Sequence, residues 1–147
     1  MLEPTTGAPP GVRRHYTAHG LVADLVDLRS RGDVETALAC YEVDASIVTE
    51  PGRVGVGADA VRSVLEFFAA SRVTFTVVHR ALLESHGVAL HLSSWSVQGV
   101  DPQGGELRLA GRSGDVVRRQ PDGTWLIAID NPWGTDDPLP KIGGNTP

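Results

Sequence analysis

The chain of 147 residues holds a single cysteine, Cys40. An internal disulfide and a zinc site built from paired cysteines are therefore excluded. Lysine is nearly missing too, with one against twelve arginines. Thirteen basic and 18 acidic residues leave a net charge of −5, so the basic excess that a nucleic-acid surface needs is absent. No apolar run approaches the ~20 residues that cross a bilayer. The start Met1-Leu2-Glu3-Pro4 lacks the basic-then-apolar order of a secretory signal. These absences lead us to expect a cytoplasmic protein with neither a nucleic-acid nor a membrane partner. Motifs for covalent catalysis are missing as well. There is no Gly-x-Ser-x-Gly elbow and no plausible Cys–His pair, and the glycine-rich segment from Gly52 to Gly57 lacks the Gly-Lys-Ser/Thr ending of a phosphate loop.

What is present fits one domain with one core. Residues 1–13 and 135–147 are rich in proline and glycine and poor in bulky apolar groups. That predicts a disordered N-terminal tail and a flexible C-terminal tail around a folded unit at 14–134. Leu21, Val22, Leu25, Val26 and Leu28 give an apolar stripe, so a helix is expected over 14–30, ended by Gly32. Asp33 is a good N-cap for a short helix over 34–41. A strand at 45–50, a glycine-rich loop to Gly57 and a third helix from Asp59 to Ala70 follow. Long strands are then expected at 73–84, 87–98 and 106–119, with a last one at 124–131. Helices first and a meander afterwards is an α+β pattern. It predicts three N-terminal helices packed on a strongly curved antiparallel sheet, a cone open at one end.

The last hairpin is the most informative stretch. Alternation along 111–119 puts Gly111, Ser113, Asp115 and Val117 on one face. Counting back from the turn at Pro121-Asp122-Gly123 puts Leu126, Ala128 and Asp130 on one face and Trp125, Ile127 and Ile129 on the other. Asp115 therefore reads either as a carboxyl facing a pocket or as a cross-strand partner of Arg112, Arg118 or Arg80. Asp130 reads either as a pocket acid or as a cap for the turn Asn131-Pro132-Trp133-Gly134.

Several segments together resemble the NTF2-like superfamily, which includes ketosteroid isomerase and the SnoaL-type polyketide cyclases. They are Arg31-Gly32-Asp33-Val34-Glu35, Tyr41-Glu42-Val43-Asp44-Ala45, Glu50-Pro51-Gly52 with the glycines to Gly57, Asp115-Val116-Val117-Arg118-Arg119, and Asp122-Gly123-Thr124-Trp125. The resemblance spans roughly 18–134. It implies an NTF2-like cone that binds a small hydrophobic cyclic or polyketide-type molecule and works by acid–base chemistry without a cofactor or metal, as a cyclase or isomerase. A non-catalytic ligand-binding or dimerisation module, or an epoxide hydrolase, remain the alternatives. Asp115 matches the isomerase acid that stays protonated and hydrogen-bonds the substrate oxyanion. Glu50 stands near the isomerase general base, directly before Pro51, with Thr49 competing for the inward position. Asp130 matches a pocket residue of the last strand. The implied substrate-binding set is Leu25, Phe68, Leu92, Ser94, Ser113, Val117 and Ala128. Two departures stand out. The isomerase oxyanion tyrosine is replaced by Leu25. The arginine that bridges two aspartates in limonene epoxide hydrolase is replaced by Ser113.

His15 and His19 lie four apart on the first helix without a third ligand nearby, so no metal site is expected. His91, Ser93 and Trp95 are expected on the outer sheet face, opposite Leu92 and Ser94; a slip of one residue would put them in the pocket instead, and His79 shares this ambiguity. That outer face is the expected surface for a homodimer.

Overall fold

The structure is a computed structural model, and it describes residues 14–134. The two predicted tails lie outside the described residues. Helix α1 runs over Ala18–Ser30, α2 over Val34–Leu38 and α3 over Ala58–Ala70. Thr17 caps α1 by accepting the Gly20 N–H at 3.0 Å, and Asp33 caps α2 by accepting the Thr36 N–H at 3.2 Å. The reversal between the two helices needs a left-handed residue, which Gly32 supplies at φ 68°.

Six strands form one sheet: β1 Tyr41–Glu50, β2 Arg53–Val56, β3 Arg72–Ser85, β4 Val88–Val100, β5 Glu106–Arg119 and β6 Trp125–Asp130. Their order is β2-β1-β6-β5-β4-β3. Four pairings are antiparallel, but β1 runs parallel to β6, so the expected all-antiparallel sheet is a mixed one. The segment expected to be a plain loop after Pro51 contains β2, and β1 begins at Tyr41 rather than at Ala45. The helices pack on one sheet face and bury Leu21, Leu25, Leu28, Val61 and Leu65 against Ile47, Val117, Trp125 and Ile127. No helix among the described residues is long and apolar enough to cross a membrane.

Register decides which side chains face the helices. On β4 and β5 the pairs His91–Asp115, Ser93–Ser113 and Trp95–Gly111 sit directly opposite one another. All of these therefore share the inner face with Asp115. Leu92 and Ser94 pair with Gly114 and Arg112 on the outer face, which corrects the expected assignment of β4. The error has a physical origin. Apolar Leu90 and Leu92 sit outside and polar His91 and Ser93 inside, so a rule that sends apolar residues inward picks the wrong face.

A second correction lies on β6. Val117 opposes Ile127 while Val116 opposes Ile129, so Ala128 is an extra residue in a β-bulge. The bulge shifts the alternation by one. Ile127 and Asp130 both face inward, and Ala128 is buried without lining the cavity.

Candidate active site

A cavity of about 440 Å³ opens between the helices and the inner sheet face. Its walls are largely apolar, with Val22, Val26, Phe67, Phe68, Phe75 and Leu109 among them. The polar groups gather where β1, β4, β5 and β6 meet α1.

Asp130 is the anchor of this end. Its side chain is 5% exposed. Oδ2 accepts from Arg29 Nη2 at 2.5 Å and from the Tyr41 hydroxyl at 2.6 Å. Arg29 also donates to the Tyr41 oxygen. Both bonds to Asp130 fall on Oδ2, and among the described residues none is made to Oδ1. Burial works against the Arg29 charge, but Tyr41, Asp130 and Asp115 outweigh it, so the guanidinium holds its proton more firmly than usual. Burial likewise keeps the Tyr41 phenol protonated, well above its ordinary range.

Asp115 stands beside this group with its side chain 14% exposed. Oδ1 accepts the Asn131 backbone N–H at 2.8 Å, and Oδ2 lies 3.4 Å from His91 Nδ1. Burial pushes the Asp115 carboxyl above the usual aspartate range, and the neighbouring Asp130 charge adds to this. The bonds from His91 and Asn131 and the Arg29 charge pull only partly the other way. The site thus pairs an ion-paired carboxylate with a carboxyl that tends to keep its proton. Such divergent environments sort acid from base in enzyme sites.

Four further groups complete the wall. The Ser93 and Ser113 hydroxyls bond to each other across the strands. The Trp95 ring lies over Gly111, where a Cβ would meet Trp95 Cζ2 at 3.0 Å. Trp95 Nε1 donates to the Pro132 carbonyl at 2.5 Å, and its ring meets Trp133 edge-on at 5.2 Å.

Of the residues predicted from sequence, Asp115, Asp130, Ser113, Leu25 and Phe68 line this cavity. Leu92, Ser94, Val117 and Ala128 do not: the first two face outward, Val117 lies in the packed core, and Ala128 sits in the bulge. Glu50 and Thr49 both reach the rim. Glu50 is 58% exposed there and ion-paired with Arg53 at 3.2 Å, apart from the two buried acids. His15 faces Asp24 at 2.8 Å, and among the described residues no group of three or more His, Cys, Asp or Glu side chains could hold a metal ion.

Arg29 and Tyr41 were not singled out as site residues. An arginine does reach this end of the cavity, from α1 rather than from β5, and it bonds Asp130 while only its charge acts on Asp115. A signal for it existed: Arg29 continues the inward stripe Ala18-Val22-Leu25 at helical spacing, an odd place for a charge unless it has a buried partner.

No protein-family model matches the chain, and no curated protein sequence does. Solved structures do match. A ketosteroid isomerase-like protein from Erwinia carotovora atroseptica is 19% identical, with a TM-score of 0.68 over 77% of this chain and 89% of that one. A candidate dehydratase of the NTF2-like family from Streptomyces avermitilis is 19% identical, with a TM-score of 0.64 over 78% of this chain and 92% of that one. A candidate calcium/calmodulin-dependent protein kinase II association domain from Xanthomonas campestris is 16% identical, with a TM-score of 0.67 over 94% and 99%. The chain has the NTF2-like fold. Its neighbours include proteins described as isomerase-like or as a candidate dehydratase and others described as candidate association domains, so the fold does not select a reaction.

Proposed function

From an NTF2-like fold holding two buried acids in different environments, we propose a cofactor-independent acid–base enzyme of isomerase or cyclase type. Its substrate is a small apolar ketone, cyclic or polyketide-like. The observation that carries this reading is Asp115, a buried carboxyl beside ion-paired Asp130 at the polar end of an apolar cavity of about 440 Å³. Asp130 Oδ1 takes a proton from the carbon next to the carbonyl. The C–H electrons form the new C=C bond, and the carbonyl oxygen becomes an enolate. Asp115 donates its hydrogen bond to that oxygen, where the charge develops. Return of the proton to another carbon isomerises the substrate; attack of the enolate carbon on a second carbonyl closes a ring instead, and the alkoxide formed from that carbonyl takes back the proton held by Asp130. Arg29 and Tyr41 hold Asp130 in place and exclude other rotamers.

Arg29 raises a second reading: an epoxide hydrolase of this fold needs an arginine reaching both acids, and Arg29 bonds Asp130 while its charge acts on Asp115. One experiment separates the two. The protein is incubated in D2O with a cyclohexanone, and loss of the α-proton NMR signal above the buffer rate is the expected result. Conversion of cyclohexene oxide to the diol without ketone exchange would assign the second reading. Neither reaction would overturn the enzymatic proposal and leave the ligand-binding module.

We further propose that a second copy of the chain covers the outer sheet face. Leu83, Leu90, Val116 and Ile129 form an apolar row across four adjacent strands there, with Val88 exposed beside it. Contiguous apolar surface of this kind marks association sites. Sedimentation at micromolar concentration should give a dimer, and Leu90→Glu should return a monomer. A monomeric wild type would sink this assembly.

A further inference from the structure

We propose that His79 and His91 form a proton relay that connects the Asp115 carboxyl to solvent without passing through the cavity. This rests on Asp115 being the acid of the proposed function. The geometry is linear. His91 Nδ1 faces Asp115 Oδ2 at 3.4 Å, and His91 Nε2 faces His79 Nδ1 at 2.9 Å. The cross-strand pairing of His91 with Asp115 and of Ser93 with His79 fixes all three side chains on the inner face of β3, β4 and β5.

The two rings occupy different settings. His91 is 5% exposed and lines the cavity. His79 is exposed at the rim and does not line it. The chain therefore begins at the acid and ends outside, so a ligand filling the cone leaves the outer end in water.

The chemistry balances without forming a buried imidazolium, which would be costly in this setting. Asp115 gives its proton to His91 Nδ1. His91 passes its Nε2 proton to His79 Nδ1, and His79 releases its own Nε2 proton to water. Each ring ends neutral in the opposite tautomer, and one proton has moved from carboxyl to solvent. The reverse sequence returns a proton to Asp115 whenever the carboxyl has lost one, and so restores the hydrogen-bond donor that the proposed reaction needs. Burial, together with His91 and with His19 on α1, lowers the His79 pKa, which keeps that ring neutral at the pH of most cells. The other charges facing the chain are Asp130 on β6 and Arg29 on α1, both of which act on Asp115.

The test needs no substrate. In full-length protein with 15N-labelled histidine, the His91 tautomer should reverse over the same pH interval in which the Asp115 carboxyl carbon titrates. Exchange of the His91 ring N–H with water should slow at least tenfold in His79→Phe, which keeps a ring and removes both nitrogens at an exposed position. A His91 tautomer that stays fixed through the Asp115 titration would overturn the relay. So would unchanged N–H exchange in His79→Phe. Because neither measurement uses a ketone, failure of ketone exchange and failure of the relay are told apart.

Discussion

Replacing Arg29 with methionine is expected to lower the free energy of unfolding by about 3–5 kcal/mol, because it leaves the Asp130 carboxylate buried with only the Tyr41 hydroxyl as partner. Methionine keeps the length and apolar stem that α1 packs into the core, so the loss reports on charge rather than on packing. The melting temperature should fall by on the order of 10 °C. The pair Arg29→Met with Asp130→Asn removes both charges together and should recover most of the difference. Urea unfolding of the single and double variants measures this. Equal midpoints for the two would mean that the uncompensated Asp130 charge is not what destabilises the single variant.

Asp115→Asn should do the opposite to stability while abolishing most activity. Asparagine is isosteric, keeps an oxygen for the Asn131 N–H, and presents an N–H to His91 Nδ1. Loss of one positioned acid typically costs about 10²–10⁴ in rate, and α-proton exchange on the ketone should fall by that factor. The stability effect follows from linkage. Burial raises the Asp115 pKa, so the folded state holds that proton to higher pH than the unfolded chain, whose aspartates release it near pH 4. The contribution of the protonated acid is complete below that pH and is lost as pH rises through the folded pKa. Asparagine does not titrate. The stability difference, variant minus wild type, should widen across that interval and level off above it. Denaturant midpoints at a series of pH values read it directly. A flat difference would show that burial does not set the protonation of Asp115. Greater stability with lower activity is the expected signature of a functional group held against its own preference.

These outcomes turn on groups of unequal visibility. The helices, the long strands and the hairpin with Asp115 and Ser113 could be read from local signals: capping residues, apolar stripes and a Pro-Asp-Gly turn. The face of β4 could not. It depends on which β5 residue stands opposite His91, and a polar cavity inverts the usual inside–outside preference along that strand. Plain alternation puts Asp130 on the pocket face only because it misses the bulge at Ala128; the same counting puts Ile127, which faces inward opposite Val117, on the wrong face. Arg29 and Tyr41 reach Asp130 across 101 and 89 residues of sequence. No local pattern encodes such a meeting, and only the charge lying on an apolar helical stripe hinted at it. Glu50 carried a good motif but sits at the exposed rim, paired with Arg53.

The extra residue at Ala128 also bears on how relatives of one fold come to differ in chemistry. Were β6 to run straight with Ala128 kept in its alternation, Ile129 would point into the cone and Asp130 would face the outer sheet surface. Arg29 and Tyr41 would then converge on an aliphatic side chain. Loss of the bulge, with every residue kept, is thus enough to take one of the two acids out of the cavity. Among chains of this shape, gain or loss of reactivity can follow from a frame change within a strand, and aligning residue types alone would not reveal it.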